Sequence, residues 1–151
     1  RQFIKQATSA DEDLLLEWVN SDDSLRWKKL SERLISKYEH QEWFNYCLSD
    51  EHTKLWIIMN DGKPSGQVRL QKKSDLIHID IYVIADARGQ GLANFALGQA
   101  MTDYTKIFGI GTFCAVVNAK NEISKKLFLK NGFHKDHSIR GDWLKFLKME
   151  E

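Results

Sequence analysis

Leu76-Ile77-His78-Ile79-Asp80-Ile81-Tyr82-Val83-Ile84-Ala85-Asp86-Ala87-Arg88-Gly89-Gln90-Gly91-Leu92-Ala93 is the stretch whose reading decides the fold. Its first half alternates. Ile77, Ile79, Ile81 and Val83 face one way, and His78, Asp80 and Tyr82 face the other, so it reads as a β-strand with one apolar face. The pattern then changes period. Leu92, Ala93, Ala96, Leu97, Ala100, Met101 and Tyr104 recur at helical spacing, which predicts a helix to about residue 106. Arg88-Gly89-Gln90-Gly91 is left as the joint between strand and helix. Glycines there let the chain curl and let an anion approach the backbone amides. The helix behind adds its positive end, worth roughly 0.3–1 kcal/mol per anionic charge. Taken alone, the same residues also suit an ordinary turn that uses glycine for its shape. The Gly-x-x-x-x-Gly-Lys-Ser/Thr and Gly-x-Gly-x-x-Gly patterns are both missing, so nucleotide hydrolysis and dinucleotide redox chemistry have no motif support.

Outward from this unit, short elements fill the chain. Residues 3–8 read as a first strand. Ser9 to Asp13 is a polar helix start, followed by Leu14, Leu15, Trp18 and Val19 at helical spacing. Residues 20–35 are ambiguous between loop and broken helix. Ser36-Lys37-Tyr38-Glu39 fits a capping box, which starts a helix running to about residue 48. Residues 55–59 and 65–70 form a hairpin around Asn60-Asp61-Gly62-Lys63. Residues 113–117 are a strand. Residues 121–131 are a helix closed by Gly132, and residues 133–138 and 143–149 make a last hairpin around Arg140-Gly141-Asp142. With one proline, Pro64, and neither repeat nor linker, residues 1–151 read as a single α+β domain.

Composition narrows the function classes. The chain has 151 residues, 42% hydrophobic and 28% charged, enough to bury a core. The 22 basic and 21 acidic residues leave a net charge of +1, which gives no overall field for nucleic acid or an anionic membrane. A local basic patch stays open. No apolar run is long enough to span a bilayer. Cys47 and Cys114 lie apart in apolar surroundings. They read as buried thiols rather than as a disulfide framework or a metal site, and reduced thiols suit the cytoplasm. The chain begins at Arg1 rather than Met, so a longer parent protein stays open.

Arg88, Gly91 and Ala93 within residues 83–93 resemble the Arg/Gln-x-x-Gly-x-Gly/Ala motif of the GNAT family of acetyl-CoA-dependent N-acetyltransferases. Asn121-Glu122-Ile123-Ser124-Lys125-Lys126-Leu127-Phe128-Leu129-Lys130-Asn131-Gly132-Phe133 is similar to that family's Asn-x-x-Ser…Leu-Tyr-x-Lys-x-Gly-Phe segment. The two occur in the family's order and at its separation, and the order of elements agrees along nearly the whole chain. The resemblance implies a mixed, mostly antiparallel sheet of about six to seven strands with about four helices on its faces. It implies acetyl-CoA as acyl donor. The backbone of Val83 would lie along the pantetheine arm. The amides of Gly89, Gln90, Gly91, Leu92 and Ala93 would bind the pyrophosphate, with Arg88 beside them. Asn121, Ser124 and the neighbouring Asn118 would meet the cofactor. Capping is the alternative role for both asparagines. Phe128 stands where many members carry a Tyr that protonates the departing sulfur; Ser124 or Tyr82 could substitute, water could serve, or the thiolate could leave unprotonated.

Direct transfer needs a neutral amine, so a base is useful. His78 and Asp80, side by side on the polar face of the strand, are the candidates, His78 first. A solvated polar face is the plainer reading. Residues 35–44, together with Gly66-Gln67-Val68-Arg69, resemble the GNAT subset that acylates nucleotide-linked amino sugars. That makes His40, Trp43 and Arg69 acceptor-site candidates: Trp43 to stack, Arg69 to meet phosphate. Packing of an amphipathic helix explains much of the same pattern. Protein or ribosomal-protein N-acetylation and a non-catalytic acyl-CoA-binding module are the alternatives. The five tryptophans leave room for a dimer interface.

Overall fold

The computed structural model describes residues 1–23, 34–138 and 141–149. Most of the ambiguous stretch 20–35, and Arg140 of the last turn, lie outside them. Strand β1 is Gln2–Gln6 and helix α1 is Glu12–Val19, entered through a 3-10 turn at Ser9–Asp11 that Thr8 caps. Helix α2 is Lys37–Ser49, β2 is Thr53–Asn60, β3 is Lys63–Lys73 and β4 is Leu76–Val83. Helix α3 is Leu92–Phe108, β5 is Thr112–Asn118, α4 is Glu122–Lys130, β6 is His134–Ser138 and β7 is Trp143–Met149. The seven strands make one mixed sheet in the order β1-β2-β3-β4-β5-β7-β6. The fold class is the one expected from the sequence.

Local chemistry accounts for these elements. Asp61 and Gly62 both take positive φ, so β2 and β3 join in the tight turn whose twist matches paired strands. The capping box at α2 is formed in full: the Ser36 hydroxyl accepts from the Glu39 amide, and the Glu39 carboxylate accepts from the Ser36 amide. Strand β2 is buried on both faces. Trp56 and Ile58 enter the core that α3 covers, whereas Leu55, Ile57 and Met59 enter a second core with Phe44 of α2 and Trp18 of α1. The first core takes Leu92, Ala96, Leu97, Ala100, Met101 and Tyr104 from α3, which is the helical stripe read from the sequence.

The sheet divides in the middle. β4 and β5 are parallel, as a crossover through α3 requires, and all other neighbours are antiparallel. Their pairing covers only Leu76–His78 against Thr112–Cys114. Beyond that point β4 continues to Val83 on β3, and β5 continues to Asn118 on β7. The two strands therefore part, and the opening between residues 79–83 and 115–118 becomes the mouth of a cleft.

Candidate active site

The cleft has a volume of about 920 Å³. One half is built around the turn between β4 and α3. Gly89 and Gly91 hold φ of +80° and +74°, and Gly91 is the residue ahead of α3. Having no side chain, Gly91 offers no cap to the helix. Among the described residues none accepts a hydrogen bond from the amides of residues 89–94; the first helical bond is from Phe95 to Gly91. A β-carbon on either glycine would meet nothing within 4 Å, so the space before these amides is open. Open amides at a helix start make an anion site. Gln90 faces away from the cleft. Its carbonyl accepts from Gln2 Nε2 at 3.4 Å, and its side-chain oxygen accepts from Asn60 Nδ2 at 3.2 Å.

Arg88 is turned inward. Its Nε donates to the Val83 carbonyl at 2.9 Å, a terminal nitrogen pairs with the Asp23 carboxylate, and its guanidinium lies over the Tyr82 ring. Asp23 also accepts from Ser21 Oγ and from the Tyr82 hydroxyl. Burial pushes the Asp23 carboxyl up. Hydrogen bonds from Ser21 and Arg88 and the Arg88 charge outweigh this and hold it below the usual carboxylate range. Burial, together with the Asp23 charge, pushes the Tyr82 phenol up.

The other half of the cleft lies between the polar face of β3–β4 and helix α2. Arg69 and Asp80 are opposite one another in the register, with Gln67 one strand step along. Gln67 Nε2 donates to Asp80 Oδ2 at 2.8 Å. The Arg69 guanidinium lies 5.2 Å from the centre of the Trp43 ring. Arg69 Nε and Gln67 Oε1 are buried and have no hydrogen-bond partner among the described residues. His40 is buried, in ring contact with Phe44 and Trp43, and Trp18 and Glu39 complete the wall.

The family model for the acetyltransferase (GNAT) domain matches residues 1–134. The chain belongs to that family. A search of curated proteins finds no match. Solved structures share the fold. A domain from Methanocaldococcus jannaschii DSM 2661 is 20% identical, with a TM-score of 0.87 and 99% of each chain covered. Spermidine N-acetyltransferase from Vibrio cholerae, solved with CoA and spermine, is 14% identical, with a TM-score of 0.87 over 98% of this chain and 95% of that one. Ribosomal-protein-alanine N-acetyltransferase from Brucella melitensis is 20% identical, with a TM-score of 0.82 over 98% and 99%.

Within this GNAT domain the sequence-predicted residues separate into two groups. Val83, Arg88, Gly89, Gly91, Leu92, Ala93, Asn121 and Ser124 line the cleft, and so do His40, Trp43, Arg69 and Asp80. His78, Gln90 and Asn118 are not among its lining residues. His78 sits where β4 still pairs with β5 opposite Cys114, before the strands part. Asp80 shares its face but lies past the division, where it lines the cleft. Asn121 caps α4, its Oδ1 accepting from the Ser124 amide, whereas Asn118 ends β5 and its Oδ1 accepts from the Lys120 amide in the turn before the helix. Phe128 is 3% exposed and packs on Phe133 and Phe146, inside the core. Of the two substitute hydroxyls, that of Tyr82 is already engaged by Asp23, while Ser124 faces the cleft. Sequence reasoning missed Asp23 and Gln67 as members of the cleft wall. Asp23 belongs to the plain polar run from Asn20 to Ser24 in the sequence, and nothing short of the fold brings it to Arg88. The β3–β4 hairpin would have placed Gln67 on the face of Arg69 had alternation been followed one step back. Cys47 and Cys114 are buried and free, as expected, and burial raises both thiols.

Proposed function

We propose that this GNAT acetyltransferase uses acetyl-CoA and that its acceptor is a primary amine on a nucleotide-linked amino sugar. Support for the donor comes from the open amides at residues 89–94, which fit a pyrophosphate. When bound, acetyl-CoA supplies an activated acetyl thioester. The chain's own groups do the rest. The turn fixes the phosphates, and the parted edges of β4 and β5 admit the pantetheine arm beside Val83. Asp80 takes the proton from the acceptor amine, and Ser124 offers a hydroxyl to the departing sulfur. A positioned base of this kind contributes roughly 10²–10⁴-fold.

The acceptor reading is carried by the cluster of Trp43, Arg69, Gln67 and Asp80. Trp43 gives an aromatic face for a sugar or base. Arg69 Nε and Gln67 Oε1 are a buried donor and a buried acceptor with no described partner, a state that costs about 1–3 kcal/mol each until a polar ligand meets them. Sugar hydroxyls and a phosphate oxygen supply both partners. A second reading rests on the acids. Asp80 and Glu39 suit a cationic polyamine or peptide N-terminus, and a spermidine N-acetyltransferase and a ribosomal-protein enzyme share the fold. A panel of amines decides between them. Under the first reading kcat/KM is highest for a nucleotide-linked amino sugar, and Arg69→Ala raises KM for it alone. Preference for spermidine or a peptide, unaffected by Arg69→Ala, selects the second.

A further inference from the structure

The phosphates in the donor half need cations, and the obvious one is already engaged: Arg88 is paired with Asp23 and bonded to the Val83 carbonyl. Helix α4 supplies others. It carries Glu122, Lys125, Lys126 and Lys130. Glu122 and Lys125 form an ion pair at 2.7 Å and cancel. Lys126 and Lys130, one helical turn apart, both line the cleft, and neither forms an ion pair with a described residue. The C-terminal end of α4 is pinned beside the phosphate turn: Asn131 Nδ2 donates to Asn94 Oδ1 at 2.8 Å, and Asn94 is in the first turn of α3. Two cations without an ion pair to a described residue thus line the same cleft as the open amides, in a chain whose net charge is only +1.

We infer that Lys126 and Lys130 bind the 3′-phosphate of coenzyme A and make the enzyme select the 3′-phosphorylated donor. The inference rests on the acetyl-CoA reading above. Coenzyme A has a pyrophosphate and a 3′-phosphomonoester. The amides and helix end serve the former with partial charges. The latter carries roughly −1.5 to −2 at neutral pH and calls for full charges. The pairing at i, i+4 brings two ammonium groups to one phosphate without a rigid fork, which suits a group at the edge of the cleft.

The test is calorimetric titration of the intact chain with CoA and with 3′-dephospho-CoA. Native protein should bind CoA about tenfold tighter or more, an advantage that shrinks as salt rises. Lys126→Ala and Lys130→Ala should each reduce that preference severalfold, and the double variant should bring the two ligands close to equal affinity. Lys125→Ala should keep the native preference, and Arg88→Ala should weaken both ligands alike. Equal affinity of native protein for the two ligands, or a preference that survives in the double variant, overturns the inference while leaving the acetyl-CoA reading intact. Native protein that binds neither ligand overturns that reading as well. Both lysines are exposed, so unchanged unfolding curves will show that the variants fold.

Discussion

A β-carbon on Gly66 would stand 2.2 Å from the Tyr82 carbonyl oxygen. Neither backbone can yield, because Gly66 lies in the register opposite Val83 and beside the irregularity that β3 makes against Ile58 and Met59. Gly66→Ala is therefore expected to cost at least about 2 kcal/mol in denaturant unfolding. A loss under 0.5 kcal/mol would contradict this close approach. The sequence could not show the need for Gly66, since it comes from a neighbour on another strand. Gly91 was legible, because its place between an alternating run and a helical one is local. Asp23 is the residue whose role is least visible in sequence and most explicit in structure. Its carboxyl is held below its ordinary value of 3.8, so the folded state gains from its ionised form. That contribution is present above the ordinary value and is lost as pH falls through the lowered one. Asp23→Asn should lower Tm at pH 7, and the gap from native protein should narrow as pH falls below 3.8 and through the lowered value. A gap that stays constant across that range would rule out the Asp23–Arg88 pair as its cause. At the chemistry itself, Asp80→Asn should reduce kcat by roughly 10²-fold or more with the CoA dissociation constant unchanged. If His78→Ala shows the larger loss in kcat, then position in the cleft has chosen the wrong residue of the pair.

Among the elements, α2 shows how a local signal and a tertiary one combine. Its start is in the sequence as Ser36 and Glu39, and the structure forms both bonds of the box. Ser36→Ala should cost about 1 kcal/mol. Its buried stripe of His40, Phe44 and Cys47 fixes which face meets the sheet. Phe44 is fully buried, and Phe44→Ala should cost about 3–5 kcal/mol, several times the cap. Both are measured by chemical denaturation, and a cap effect larger than the core effect would invert this account of the helix. The fold class, the seven strands and the helix that follows the glycine turn were legible because each rests on a repeating local pattern. The parting of β4 and β5 was not. It depends on where two distant strands stop sharing hydrogen bonds, and the same alternation in residues 76–84 fits a fully paired strand. That one non-local fact separates His78 from Asp80, two residues that the alternation places on the same face. Phe128 belongs to the same lesson. Its motif position suggested a missing acid, while its packing against Phe133 and Phe146 makes it part of the core under α4.

The whole molecule is a sheet with a core on each face, and the cleft sits where the sheet divides. The core under α3 anchors the turn between β4 and α3; the core around α1 and α2 sets the opposite wall of the cleft. The near-zero net charge hides a local arrangement: Arg88 is neutralised by Asp23, while Lys126 and Lys130 remain free of ion pairs to described residues. An overall charge reading could not resolve that, because the compensation is decided pair by pair. The central claim is that the turn from Arg88 to Ala93 holds the pyrophosphate of acetyl-CoA through its amides. It is tested most directly by calorimetric titration of CoA into native protein and into Gly91→Asp, which adds a side chain at a φ that favours glycine and a negative charge at the open amides. The account predicts saturable binding by native protein and loss of at least about 100-fold in affinity for the variant. No binding by native protein, or equal binding by both, would contradict it.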